Sequence, residues 1–147
     1  MKNIILTIAG GVLSLLFVLF APQLYEALYY ERAFSNELYN LGAYRLLAFV
    51  ALCFAWCPAY TYYYLINSVS FSRWYHWLIM LGFASVAAPV IIFISLTNTF
   101  SDLGYDFGGQ IASFCLVNVF VTALLFVIAS FSIRWWSSNC RHTPIPE

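Results

Sequence analysis

The side chains with the most chemical potential in this 147-residue chain are four cysteines (53, 57, 115 and 140) and two histidines (76 and 142). Cys53 and Cys57 are four residues apart, so a helix would place them on one face. Thiol–disulfide exchange is the chemistry such a pair could do, and it requires an accessible thiolate. Both lie inside a continuous apolar stretch, where burial keeps a thiol protonated. The expectation is that they are reduced, unliganded packing residues. Cys140 and His142 form a Cys-x-His triple. A metal site needs several convergent ligands, and the sequence offers no second pair, so neither a metal nor a cofactor is expected. Asn118 and Thr122 are also four apart, in the last apolar stretch, with Gln110 upstream. Coupled transport usually leaves an ionisable residue within the membrane. The apolar stretches contain no Asp, Glu or Lys, so the expected role of Asn118 and Thr122 is to join helices.

These residues must be positioned by apolar elements. The composition is 63% hydrophobic and 8% charged, with formal net charge zero; soluble domains carry about 25% charged residues. Continuous apolar runs cover residues 4–21, 44–65, 74–97 and 110–133. About 20 residues of helix cross a bilayer core of ~30 Å, and barrel strands would alternate instead. The sequence therefore predicts an all-α integral membrane protein, a single domain with four transmembrane helices in a small bundle. The first run is too long for a signal-peptide core, and Pro22 sits badly after a cleavage point at Ala21, so an uncleaved span is expected. Residues 22–34 read as a short outer interfacial helix, with Pro22 in its first turn, Leu24, Ala27 and Leu28 on one side, and tyrosines at headgroup depth. Residues 134–147 read as a tail. Small four-span membrane thiol oxidases are similar in size and span number. Their hallmark is a Cys-x-x-Cys near the outer face and a second cysteine pair in an outer loop, and this chain has neither.

Charge sets the expected orientation. Lys2, Arg73, Arg134 and Arg141 fall on the side of the termini, and Arg32 and Arg45 on the other. That bias predicts that both termini are cytoplasmic, and the expected location is a bacterial inner membrane. Tyr62, Tyr63, Tyr64, Trp74, Tyr75, Trp77, Trp135 and Trp136 are expected to form one interfacial belt on that side. Gly10, Gly11 and Ser14 in the first span, and Gly82 and Ser85 in the third, mark expected helix seams, together with Asn118 and Thr122. Pro58 and Pro89 should bend their helices.

No stretch carries the clustered positive charge that nucleic acid binding requires. The expected working surface is on the outer side, where Glu26, Tyr29, Tyr30, Glu31 and Glu37 precede the second span and Asp102, Tyr105 and Asp106 follow the third. Tyrosine beside charge suits recognition, because the ring buries area and the hydroxyl finds a partner. The function expected is that of a non-catalytic membrane accessory protein that binds another integral membrane protein or itself, with lipid around it. The alternatives are an oligomeric channel or transporter with a pathway between subunits, and a membrane thiol-redox enzyme.

Overall fold

The computed structural model describes residues 2–141, and side chains from residue 3 onward. His142 and the rest of the predicted tail lie outside the described residues. Six α-helices follow one another: α1 (Lys2–Leu19), α2 (Ala21–Leu28), α3 (Arg32–Asn40), α4 (Ala43–Tyr60), α5 (Trp74–Asp102) and α6 (Gly108–Ile133). No strand occurs among the described residues. α4 runs on through a π-helical turn (Thr61–Ile66), and α6 ends in a 3-10 turn (Arg134–Trp136). Three helical stretches are long and apolar enough to cross a membrane: Ala43–Ile66, Trp74–Asp102 and Gly108–Trp136. α1 and α2 together are a fourth candidate, but they are bent against each other by 75°.

The contacts between helices give the topology. Thr7 donates its hydroxyl to the Ser132 carbonyl at 2.8 Å, and Tyr25 meets Asn118, so the first segment runs antiparallel to α6. Trp56 of α4 donates to Ser14 Oγ at 3.0 Å, and Trp77 of α5 donates to Ser130 Oγ at 3.1 Å. The bundle is thus up–down–up–down, with α6 at its centre and the start of α1 and the end of α6 on one side, here called the terminal end. The opposite side is the capped end.

The interior is built from small and aromatic residues. Ala48, Ala51, Ala55 and Ala59 are fully buried along one stripe of α4. Spacings of three and four residues put them on one helix face, and their size lets that helix approach its neighbours closely. On α5 the buried small residues are Ala84, Ser85 and Ala88. Gly82 is exposed, and a Cβ placed there or on Gly11 would meet nothing within 4 Å. Those two glycines therefore face away from the chain's own helices, whereas Gly10 is pressed against Ser132.

The predicted helix over 22–34 is broken in two. Pro22 cannot donate a backbone bond across the α1–α2 junction, and the chain turns there. Tyr29 and Glu31 are extended (φ −149° and −137°) and separate α2 from α3. Leu24 and Leu28 of α2 are 42% and 59% exposed, and the side that faces the bundle carries Ala21 and Tyr25, which are fully buried. Pro58 lies inside α4, and the π turn begins three residues later. Proline removes one backbone bond and crowds the preceding turn, and single π turns are a common way to absorb such a disturbance.

The terminal end is closed by a clasp. Asn67 follows the π turn in the left-handed region (φ 31°). Its Oδ1 accepts from Ser137 Oγ at 2.9 Å and from the Asn139 amide at 3.1 Å, and its carbonyl accepts from Asn139 Nδ2 at 2.8 Å. Cys140 lies fully buried beneath this clasp, its thiol donating to the Ser68 carbonyl at 3.6 Å. Burial pushes the Cys140 thiol up, against the opposing pull of its hydrogen bonds with Ser68 and Ser137. In a variant with Cys53, Cys57 and Cys115 replaced by serine, maleimide should therefore label Cys140 slowly near neutral pH and faster as pH rises. Asn67→Ala removes the hub, and each lost hydrogen bond contributes about 1 kcal/mol. Labelling should accelerate roughly tenfold or more, because the rate follows the open population. Equal rates in both proteins would show that the clasp does not hold the tail.

Candidate functional site

Phe34 organises the capped end. It is fully buried, with its ring centroid 5.6 Å from Phe100, 5.7 Å from Phe107 and 5.9 Å from Phe114. Tyr29 meets it edge-on at 6.2 Å, and Tyr105 stacks on Phe107 at 5.3 Å with an interplanar angle of 17°. One residue of α3 therefore plugs the cleft between α5 and α6 and joins two segments that are far apart in sequence. A second aromatic group lies below it: Tyr25 packs on Phe114 at 5.0 Å and on Tyr44 at 6.0 Å. Edge-on and offset arrangements of this kind add to the burial of the rings.

Glu31 has a structural task here. Its Oε2 accepts from the Phe34 amide at 2.9 Å, and its own amide donates to Ser35 Oγ at 3.1 Å. This reciprocal pair satisfies donors left free at the start of α3. Glu26 is half-buried on α2 and lies close enough to Tyr44 to act on it electrostatically. Glu37 is half-buried, while Tyr30, Asp102, Tyr105 and Asp106 are exposed. The structure thus gathers Tyr29, Glu31 and Tyr105 around Phe34 in one cap, with the remaining predicted surface residues distributed over the same end.

The predicted seam residues divide by environment. Asn118, fully buried, accepts the Tyr25 hydroxyl at 2.7 Å and donates to the Phe114 carbonyl at 3.0 Å. Ser14 receives Trp56. Ser85 bonds only within its own helix, to the Leu81 carbonyl at 2.8 Å. Thr122 is fully buried, and its hydroxyl has no hydrogen-bond partner among the described residues. The expected aromatic belt is also divided. Trp74, Tyr75 and Trp136 are 40–59% exposed, but Tyr62, Tyr63 and Trp77 are core residues at 5% exposure or less. Tyr62 donates to the Phe71 carbonyl at 2.9 Å and Tyr64 to the Ile133 carbonyl at 3.0 Å, so these hydroxyls hold the terminal end together.

All four cysteines are free thiols. Cys57 is exposed on α4, and Cys115 lines an apolar groove of about 460 Å³ between α5 and α6, with Pro89 and Phe93 opposite. Among the described residues no three His, Cys, Asp or Glu side chains converge as metal ligands would. A polar cavity of about 290 Å³ opens at the capped end, between the start of α2 and the α3–α4 turn.

No protein-family model matches this chain, and no curated protein or solved structure matches it either.

Tyr25, expected with the other tyrosines of residues 22–34 at headgroup depth, is a core residue, and neither Phe34 nor Asn67 carries a local signal of its role. The alanine stripe of α4 carried a legible signal in its three- and four-residue spacing. The inward turn of Tyr25 and Phe34 carried none, because their partners are on helices remote in sequence.

Proposed function

We propose that the chain is a non-catalytic accessory protein of a bacterial inner membrane that binds another integral membrane protein through its capped end. The observation that carries this reading is the aromatic plug: Phe34 ties the segment before α4 to the α5–α6 turn, which makes one rigid surface from two loops. Preorganised surfaces bind with less ordering cost, and Tyr30, Tyr39, Leu103 and Tyr105 project from this one at 44–65% exposure. Within the interior, the polar side chains Asn118, Ser14 and Ser130 engage tyrosine and tryptophan of the same chain, which supports a scaffolding role for them. Both termini are assigned to the cytoplasm by the distribution of Lys and Arg.

The test is purification of the full chain from native membranes in mild detergent, with identification of what accompanies it. A stable heteromer is expected. Glu26→Gln with Glu37→Gln should reduce recovery of a basic partner several-fold at low salt and less at high salt. Glu31 is left intact, because its replacement would uncap α3. A symmetric homomer that conducts ions or solutes in liposomes would overturn this reading in favour of a channel formed between subunits.

A further inference from the structure

The polar cavity at the capped end is lined by Pro22, Gln23, Tyr39, Gly42, Tyr44 and Arg45. Arg45 is the one charged side chain among them, and it is exposed in the first turn of α4. Gly42, in the left-handed region at φ 63°, turns the chain sharply and places Tyr39 of α3 against that turn. No side chain caps the first turn of α4, so its free amides add partial positive charge beside the guanidinium. Glu26, one turn beyond Gln23 on α2, is not among the lining residues, although it acts electrostatically on Tyr44, which is.

Depth narrows the ligand class. From Arg45 to Tyr64 is nineteen residues, a rise of at most ~29 Å at the α-helical 1.5 Å per residue because the last four lie in the π turn, comparable with a hydrocarbon core of ~30 Å. Tyr64 stands at the terminal end, its ring tilted by 34° against Tyr60 at 4.9 Å and its hydroxyl donating to the Ile133 carbonyl. If Ala43–Ile66 is a span, Arg45 and Tyr64 fall near its two ends, where a long arginine side chain can reach lipid headgroups. One turn below Arg45 on α4 is Phe49, and Leu46, three residues before Phe49, shares that residue's face; they are 54% and 61% exposed, an apolar strip along which acyl chains can lie. Arginine holds phosphate through paired N–H donors.

Resting on the reading of the chain as a membrane protein, we propose that this cavity binds the phosphate of a membrane lipid headgroup, with Arg45 as the principal contact and the lipid's chains running down Leu46 and Phe49. The test is native mass spectrometry of the full chain in detergent, titrated with phosphatidylglycerol, with diacylglycerol of the same chains, and with inorganic phosphate. Phosphatidylglycerol should bind Arg45→Gln about tenfold or more weakly than the unaltered chain. It should bind Arg45→Lys with an intermediate loss, since lysine keeps the charge but not the paired donors, and Arg32→Gln nearly unchanged, since Arg32 lies outside the cavity. Diacylglycerol should not distinguish the variants. Unchanged thermal midpoints would show that Arg45→Gln is folded; if it is not, phosphatidylglycerol binding by Gln23→Ala and Tyr39→Phe serves in its place and should also weaken. Equal phosphatidylglycerol affinity across the cavity variants would overturn the site. Inorganic phosphate binding as tightly as the lipid would overturn its assignment to lipid. Solubility without detergent, together with no binding of either lipid, would instead overturn the membrane reading.

Discussion

Replacing Gly10 by leucine is expected to unseat α1 from the bundle, whereas the same change at Gly11 is expected to be nearly silent. A Cβ on Gly10 would collide with Ser132 Oγ and come within 2.6 Å of Ser132 Cβ. Turning that side chain aside would not relieve the clash, because Ser132 Cβ stays at 2.6 Å whatever the rotamer, and the hydroxyl would also lose its bond to the Ile128 carbonyl. Overpacking a filled contact costs about 1–3 kcal/mol and sometimes more. A leucine at Gly10 should fall at or above the top of that range, since all four of its side-chain carbons need space. At Gly11 nothing lies within 4 Å, and a substitution of that kind usually changes stability by less than about 0.5 kcal/mol. Thermal unfolding of the two variants in the same detergent reads the difference directly. Midpoints displaced equally by both would mean that α1 does not pack on α6 through Gly10. Ser132→Ala combined with Gly10→Ala should recover part of the loss, because it removes the nearer of the two colliding atoms.

The Tyr25–Asn118 hydrogen bond is expected to show strong coupling in a double-mutant cycle. Both residues are fully buried, and the bond joins α2 to the middle of α6 at 2.7 Å. Asn118→Leu leaves the tyrosine hydroxyl without this partner, and an unsatisfied buried polar group costs about 1–3 kcal/mol. Tyr25→Phe leaves the asparagine oxygen unpaired and should cost about 1 kcal/mol, within the range measured for hydrogen bonds between membrane helices. Tyr25→Phe with Asn118→Leu removes both polar groups together. It should be more stable than the sum of the single changes implies, by about 1 kcal/mol or more. Strict additivity would show that the bond does not hold α2 in its bent position. In that case the 75° turn between α1 and α2 would rest on Pro22 and on the packing of Tyr25 against Phe114 and Tyr44.

Much of the bundle was written in local sequence. The apolar runs at 44–65, 74–97 and 110–133 correspond closely to the helical stretches Ala43–Ile66, Trp74–Asp102 and Gly108–Ile133. A backbone in an apolar solvent must satisfy its hydrogen bonds within the segment, so helix formation there follows from run length and composition. α5 extends five residues past the apolar run, to Asp102, because Phe100 is gripped by Phe34 and Phe107 and that contact keeps the last turns packed. The remainder depended on partners that no local pattern names. Whether a tyrosine sits at a headgroup or in the core turns on what receives its hydroxyl, and the acceptor for Tyr25 is 93 residues away. Whether a glycine is a seam turns on what faces it: Gly10 faces Ser132, while Gly11 and Gly82 face nothing within 4 Å. Residue types and run lengths alone determined that this chain is helical and apolar enough to span a membrane. The break after α2, the plug of Phe34 and the clasp at Asn67 were decided only in the tertiary structure, because burial is a property of the pair in contact and not of either residue by itself.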